Sequence, residues 1–165
     1  MASPNTAFIN IVRRPVKFRM FLLRQLPSAY FSGVRVQALD EKHCITTVPF
    51  KWFSQNPFRS TYFACLSMAA EMSTGLLALS RVYKSQPPLS MLIVRTEANY
   101  FKKAVGSTNF LCEDGLLISE VIEKAIATGE GQLCSCKSIG TNSDGEKVAE
   151  FIFTWSFKVR KSSSH

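Results

Sequence analysis

The chain has 165 residues, enough for one ordinary domain with its own core and too few for two. Its hydrophobic content of 46% argues against disorder, and its net charge of +8 favours an anionic partner without identifying one. No helix-turn-helix, zinc-finger or aromatic RNP pattern accompanies the scattered Lys and Arg residues, so the sequence does not predict nucleic-acid binding.

The five cysteines have irregular spacing and no CxxC motif. This pattern predicts neither a disulfide framework nor a zinc site. Cys44, Cys65 and Cys112 lie in apolar runs and are expected to be small core residues, whereas Cys134 and Cys136 alternate on a predicted strand and are a weak metal signal. We therefore expect no metal and a reducing, cytoplasmic location.

The N-terminal region predicts an extra helix before the rest of the domain. Residues 1–11 have no firm pattern, and we expect residues 1–14 to form a loose arm. From Pro15 the sequence VKFRMFLLRQL predicts an amphipathic helix, which Pro27 ends or kinks. The first 39 residues contain no acid, as in a transit peptide, but their apolar residues favour a helix packed on the domain.

The next stretch predicts a β-hairpin with its turn at residues 40–42. The residues that alternate along its two strands are Val34, Val36, Ala38, Cys44, Thr46 and Val48.

Residues 56–80 predict one long helix, entered through a polar turn. Between Arg59 and Arg81 the helix carries a single charge, Glu71, and apolar residues occur on every side, so it should be buried. A carboxylate there is costly unless it is paired, hydrogen-bonded or protonated, so Glu71 is the first candidate for chemistry. The alternative is a membrane span, but the carboxylate and six Ser and Thr residues between Ser60 and Ser80 make insertion unfavourable.

The second half of the chain predicts four strands and a short helix. Residues 89–101 have the apolar density of a central strand, residues 107–113 form the next strand, and residues 116–129 predict an amphipathic helix. Two strands then flank Asp144-Gly145, a strong hairpin signal, and the second has an alternating aromatic face. We expect a frayed tail at residues 161–165.

The order of elements predicts an α+β domain over residues 1–165, with a curved antiparallel sheet wrapped around the long helix. With this order the chain resembles the hotdog-fold superfamily, most closely small hotdog proteins grouped with acyl-CoA thioesterases. The resemblance covers roughly residues 15–160. It rests on Asn56 before the helix, YFKKAVG at residues 100–106 and the closing hairpin SDGEKVAEFIFTWSF at residues 143–157.

The start of the helix both matches and departs from that family. In thioesterases of the phenylacetic-acid and hydroxybenzoyl-CoA types, the Asn is followed by His-Gly-Gly, with an acid nine residues after the His. Here Tyr62, Phe63 and Ala64 occupy the His-Gly-Gly place, and Glu71 keeps the position of the acid.

The resemblance implies hydrolysis of an acyl-CoA thioester at the interface of a homodimer or a dimer of dimers, with coenzyme A as part of the substrate and no separate cofactor. It implies Glu71 as general base or nucleophile, the amides of Phe63 and Ala64 as donors to the carbonyl oxygen, and Asn56 as the group that orients carbonyl or water.

The remaining implied residues line the substrate site. Tyr62, Ser67 and Thr74 belong to the substrate pocket, and the hydroxyl of Ser67 or of Thr74 is expected to hydrogen-bond the carboxylate of the acid. Lys102 and Lys103 resemble the basic turn that meets coenzyme A phosphates in relatives.

Several of these assignments have a structural alternative. Glu71 could pair with Arg95 or with a residue of a second subunit, Asn56 could be a helix cap or turn residue, Tyr62 could fill the pocket, and the two lysines could form a solvated turn. For the whole protein, the alternative is a non-catalytic hotdog protein that binds an acyl chain or acyl-CoA, or an assembly module. The altered helix start favours this alternative, and the retained acid favours the enzyme.

Overall fold

A computed structural model of the chain describes residues 4–160 as an α+β domain with five helices and six strands. In chain order the elements are α1 (Thr6–Val12), α2 (Pro15–Gln25), α3 (Pro27–Ser32), β1 (Arg35–Leu39), β2 (Cys44–Val48), a 3₁₀ turn (Trp52–Ser54), α4 (Phe63–Val82), β3 (Leu89–Tyr100), β4 (Thr108–Cys112), α5 (Gly115–Thr128), β5 (Gln132–Thr141) and β6 (Lys147–Val159). The frayed tail predicted at residues 161–165 lies outside the described residues.

The N-terminal region is more ordered than the sequence predicted. The loose arm expected for residues 1–14 is wrong over residues 6–12, which form α1 and bury Phe8, Ile9 and Val12. The helix predicted from Pro15 is confirmed as α2, but Pro27 opens a further short helix, α3. A proline suits that position because the first amide of a helix has no partner within the helix.

All six strands form one antiparallel sheet in the order β1-β2-β4-β5-β6-β3. The predicted hairpins β1–β2 and β5–β6 are confirmed. The expectation that residues 89–101 form a central strand is wrong, because among the described residues β3 pairs only with β6 and so lies at the edge of the sheet. Its apolar residues Leu92 and Val94 are 65% and 51% exposed. Proteins usually cover the edge strand of a sheet or place charged residues on it, so an exposed apolar edge is unusual.

Helix α4 forms the centre of the domain, as predicted, because it contacts every strand of the sheet. The sheet covers it with the aromatic face of β6, whose buried members are Phe151, Phe153, Trp155 and Phe157. Helices α1, α3 and α5 also contact α4. By length and hydropathy alone α4 could cross a membrane, but two-thirds of its most apolar window (67%) is buried within the domain.

Candidate functional site

The polar turn before α4 is a closed loop built on Asn56. Its side-chain oxygen accepts hydrogen bonds from the amides of Phe58 (3.0 Å) and Ser60 (3.2 Å), and its side-chain nitrogen donates to the Ser60 hydroxyl at 3.1 Å. Arg59 adopts a positive φ of 56° within the loop. This is the hydrogen bonding of a turn residue, the structural alternative for Asn56. It uses both the oxygen and the nitrogen of the side-chain amide.

Helix α4 begins at Phe63 with two amides free to meet a ligand. Tyr62 is the N-cap residue, and no side chain caps the helix. Among residues 4–160 no acceptor is found for the amides of Phe63 and Ala64, as is usual for the first turn of a helix. The rings of Tyr62 and Phe63 lie 4.8 Å apart, and both are substantially exposed, so aromatic side chains border the helix start.

The helix start opens into a hollow of about 590 Å³ that the turn after β3 closes on its other side. The structure thereby brings Asn56, Tyr62 and Phe63 together with Lys102 and Lys103. The Lys102 ammonium forms an exposed ion pair with Glu146 at 2.5 Å. Lys103 is exposed and has no acidic partner in the described part of the chain, so it is the freer of the two cations.

Glu71 lies two helical turns beyond the helix start and is half-buried. No hydrogen bond or ion pair to its carboxylate is found within residues 4–160. Burial, which disfavours the charged form, raises the pKa of Glu71 from its usual 4.5 to about 7. The carboxylate is therefore poised to gain or lose a proton near neutral pH, as a general base must.

The carboxylate of Glu71 lies over a glycine one turn further along α4. A Cβ atom at Gly75 would come within 2.7 Å of Glu71 Oε1 and 3.4 Å of the Trp155 ring. The first distance is too short for a real contact, so the absence of a side chain at position 75 is what allows the acid its observed position.

The hydroxyls expected to hold the carboxylate do not do so. Thr74 is buried, donates to the backbone carbonyl of Glu71 at 3.0 Å and accepts a bond from the Trp155 indole at 3.0 Å. Ser67 is half-buried, and no hydrogen bond joins it to Glu71. The suggested pairing of Glu71 with Arg95 is also wrong in this chain, because Arg95 is exposed and lies 3.2 Å from Glu97.

Two hollows border Glu71, and the N-terminal helices form their outer walls. One, of about 110 Å³, lies between α2, α4 and β3; the other, of about 290 Å³, lies under the joint between α2 and α3. Leu26, at that joint, lines both. The sequence predicted that α2 packs on the domain, but it gave no signal that Leu26 and its neighbours enclose the acid.

The two parts of the candidate site are separated along one helix. Phe63 and Glu71 are eight positions apart in α4, so their backbone positions are separated by about 12 Å along the axis. A thioester carbonyl is much smaller than this distance. Along the backbone, the amides and Glu71 of one copy of the chain are therefore farther apart than a single carbonyl group spans.

The cysteines do not add a metal site to this arrangement. Cys44, Cys65, Cys112, Cys134 and Cys136 are all free and buried. The Sγ atoms of Cys134 and Cys136 lie 3.5 Å apart, in contact with each other. Within residues 4–160 no group of three or more His, Cys, Asp or Glu side chains is arranged to hold a metal ion.

Solved structures resemble this domain over nearly its whole length. A Pseudomonas aeruginosa protein described as a probable thioesterase has a TM-score of 0.75 and 20% identity over 88% of this chain and 97% of its own. A Chlorobaculum tepidum protein of unknown function has a TM-score of 0.73 and 14% identity over 88% and 97%. A thioesterase from Haemophilus influenzae has a TM-score of 0.66 and 11% identity over 90% and 94%.

No protein-family model and no curated protein sequence matches the chain. At identities this low the structural likeness shows the fold alone. The fold is the hotdog fold that the sequence predicted, with helices α1, α2 and α3 added before its first strand.

Proposed function

We propose that this hotdog-fold protein is a thioesterase that hydrolyses an acyl-CoA, with Glu71 as its general base. One observation carries the proposal: a half-buried carboxylate that has no partner within residues 4–160, its pKa raised to about 7, faces two hollows next to the central helix. An unpaired acid in such surroundings lowers stability, and a catalytic role gives a reason for its presence. Solved structures of the same fold that are named thioesterases support the same reaction.

The chemistry requires a base and an oxyanion site. Glu71 takes a proton from water, and the resulting hydroxide attacks the thioester carbon. The negative charge that develops on the carbonyl oxygen is met by the amides of Phe63 and Ala64 at the positive end of the α4 dipole. The carbon–sulfur bond then breaks, and the leaving thiolate of coenzyme A takes the proton that Glu71 had removed from water, which restores the carboxylate.

We propose that two copies of the chain complete the site. The separation of about 12 Å between the amides and the acid favours a reaction in which each group comes from a different copy. The bare edge of β3 offers a surface for that association. Antiparallel pairing of the whole strand with itself would bring Leu89 opposite the partner's Tyr100, so the lysine-lined hollow of one copy would meet the Glu71 hollows of the other.

The basic turn fits the phosphates of coenzyme A. Lys102 and Lys103 line the hollow of about 590 Å³ at the helix start, which is open enough for a large polar ligand. We expect Lys103 to contribute more, because Lys102 already pairs with Glu146. A cytoplasmic location belongs to the same proposal, since acyl-CoA substrates and five free thiols both fit a reducing compartment.

A non-catalytic hotdog protein that binds an acyl chain or acyl-CoA is the second candidate. It is favoured by the helix start, where the Tyr62 and Phe63 rings, 4.8 Å apart, border the approach to the amides. Glycines at those positions would leave the amides open. In a binding protein, the rings would hold a ligand and the amides would not meet a reacting carbonyl.

The test is release of free thiol from a panel of acyl-CoA esters, with mass spectrometry of molecules that co-purify. We expect Glu71→Gln to lower the rate at least about a hundredfold, the usual worth of a general base, without unfolding the protein. Glu120→Gln, an exposed acid on α5, is the matched control and should keep the full rate. A co-purified acyl ligand with no hydrolysis by the native protein would establish the binding function instead.

A further inference from the structure

The two hollows next to Glu71 differ in chemistry. Apart from Glu71, the smaller is lined only by Phe, Leu, Met and Gly residues. The larger includes Gln25 and Ser28 in its lining. The carboxylate thus has apolar space on one side and polar groups, suited to water, on the other.

We propose that the smaller hollow binds the acyl group and restricts the substrate to short chains, of up to about five carbons. This inference rests on the proposed thioesterase function. Its volume is about 110 Å³. An apolar protein cavity of about 150 Å³ is known to bind benzene, so the part of an acyl group that lies inside this partly open hollow is smaller than a six-carbon ring.

The N-terminal helices make this size limit rigid. Phe18 and Leu22 of α2 form part of the wall and are themselves buried in the core, with exposures of 4% and 0%. The rings of Phe18 and Phe21 stack at 5.8 Å. Because moving these side chains would open the core, the wall cannot withdraw cheaply to admit a longer chain.

The proposal predicts a peaked dependence on acyl length. From acetyl to butanoyl, each added methylene group enters apolar space and should raise kcat/KM about fourfold. Hexanoyl-CoA, octanoyl-CoA and benzoyl-CoA exceed the hollow, so kcat/KM should fall again. The same order should appear in the Kd values of the ester series, measured by calorimetry with the Glu71→Gln variant, which cannot activate water.

The matched variants change one wall of the hollow. Phe21→Ala should enlarge it and move the optimum to hexanoyl-CoA or octanoyl-CoA, because Phe21 is half-buried and lines it. Should that variant fail to fold, Leu26→Ala makes a smaller enlargement at a side chain that is 45% exposed. Val16→Ala, on the same helix but outside the lining, is the control and should leave the optimum unchanged.

The two readouts separate this inference from the proposed function. Hydrolysis that favours long chains, or a profile that neither enlarging variant moves, overturns the size limit and leaves the thioesterase in place. Binding that peaks at butanoyl with no hydrolysis by the native protein supports the hollow as an acyl site and removes the enzyme. An absence of both binding and hydrolysis overturns both.

Discussion

The start and the centre of helix α4 have opposite chemistry. The start borders an open hollow of about 590 Å³ with exposed aromatic rings, two lysines and a loop whose hydrogen bonds are satisfied internally. The centre holds Glu71 between an apolar hollow and a hollow lined partly by polar side chains, without a partner in the described part of the chain. The first region suits a large anionic ligand and the second suits proton transfer. In the proposed thioesterase, hydrolysis requires both regions.

The largest expected effect comes from preventing the association of two copies. In the proposed dimer, that association brings the helix start of one copy to Glu71 of the other. We expect Leu92→Lys with Val94→Lys to produce a monomer and to lower the rate about a hundredfold or more, because charges on the exposed edge of β3 oppose strand pairing. Light scattering at micromolar concentration and thiol release measure the two outcomes. Leu133→Lys, on interior strand β5 and 62% exposed, is the matched control. A monomer with the full rate would show that one copy suffices.

The second prediction isolates the centre of the helix. Because burial raises the pKa of Glu71 to about 7, the folded protein binds more protons than the unfolded chain between about pH 4.5 and 7. Stability should therefore fall across that range as pH rises, by roughly 2 to 3 kcal/mol relative to Glu71→Gln. Denaturant titrations at both ends of the range measure the difference, with Glu120→Gln as the control.

The same ionisation should appear in the rate. As a general base Glu71 acts deprotonated, so kcat/KM should rise with pH through about 7 and level off above it. Parallel stability curves for native protein and Glu71→Gln, or a rate independent of pH between 5 and 8, would contradict the raised pKa.

The third prediction concerns the loop at the helix start. Asn56→Ala removes the acceptor of two backbone amides and should cost about 1 to 2 kcal/mol of stability. Asn56→Asp keeps an acceptor oxygen, so we expect it to recover most of the stability and nearly the full rate. Thermal melts and thiol release provide the comparison. Recovered stability with a lost rate would instead indicate that the Asn56 amide orients the substrate.

The smallest expected effect is at the basic turn. Lys103→Glu should raise KM for acyl-CoA about fourfold and make it less dependent on salt, because exposed charges are screened beyond about 8 Å in physiological salt. The saturated rate should change less, since phosphates remote from the thioester contribute uniform binding. Adding Lys102→Glu should enlarge the effect modestly, because Lys102 is paired with Glu146.

Two controls sharpen that last measurement. A substrate truncated to pantetheine lacks the coenzyme A phosphates and should be hydrolysed equally by the native and changed proteins. Lys124→Glu makes the same change of charge on an exposed position of α5. An equal loss with full and truncated substrates would mean that the lysines support the fold or the dimer.

Local pattern predicted most of the elements. Apolar alternation identified β5 and β6, and the Asp144-Gly145 turn joined them. The apolar stretch at residues 56–80 identified α4, which begins seven residues later and ends two residues later than predicted. The local pattern did not predict α1, because seven residues are too few to show a clear helical period. It also placed β3 at the centre of the sheet, whereas β3 lies at the edge. In the proposed dimer β3 pairs with a second chain, and such a strand has the same composition as one inside a sheet.

The sequence by itself determined that Glu71 is a solitary acid on a buried helix, because a single charge within an apolar stretch can be counted without a structure. Only the tertiary structure decided what surrounds it. The walls of its hollows come from α2, α3 and β3, segments far from residue 71 in the chain, and the raised pKa depends on how fully they exclude water. Neither the composition of the sequence nor the spacing of its residues determines these surroundings, because they depend on packing between distant segments.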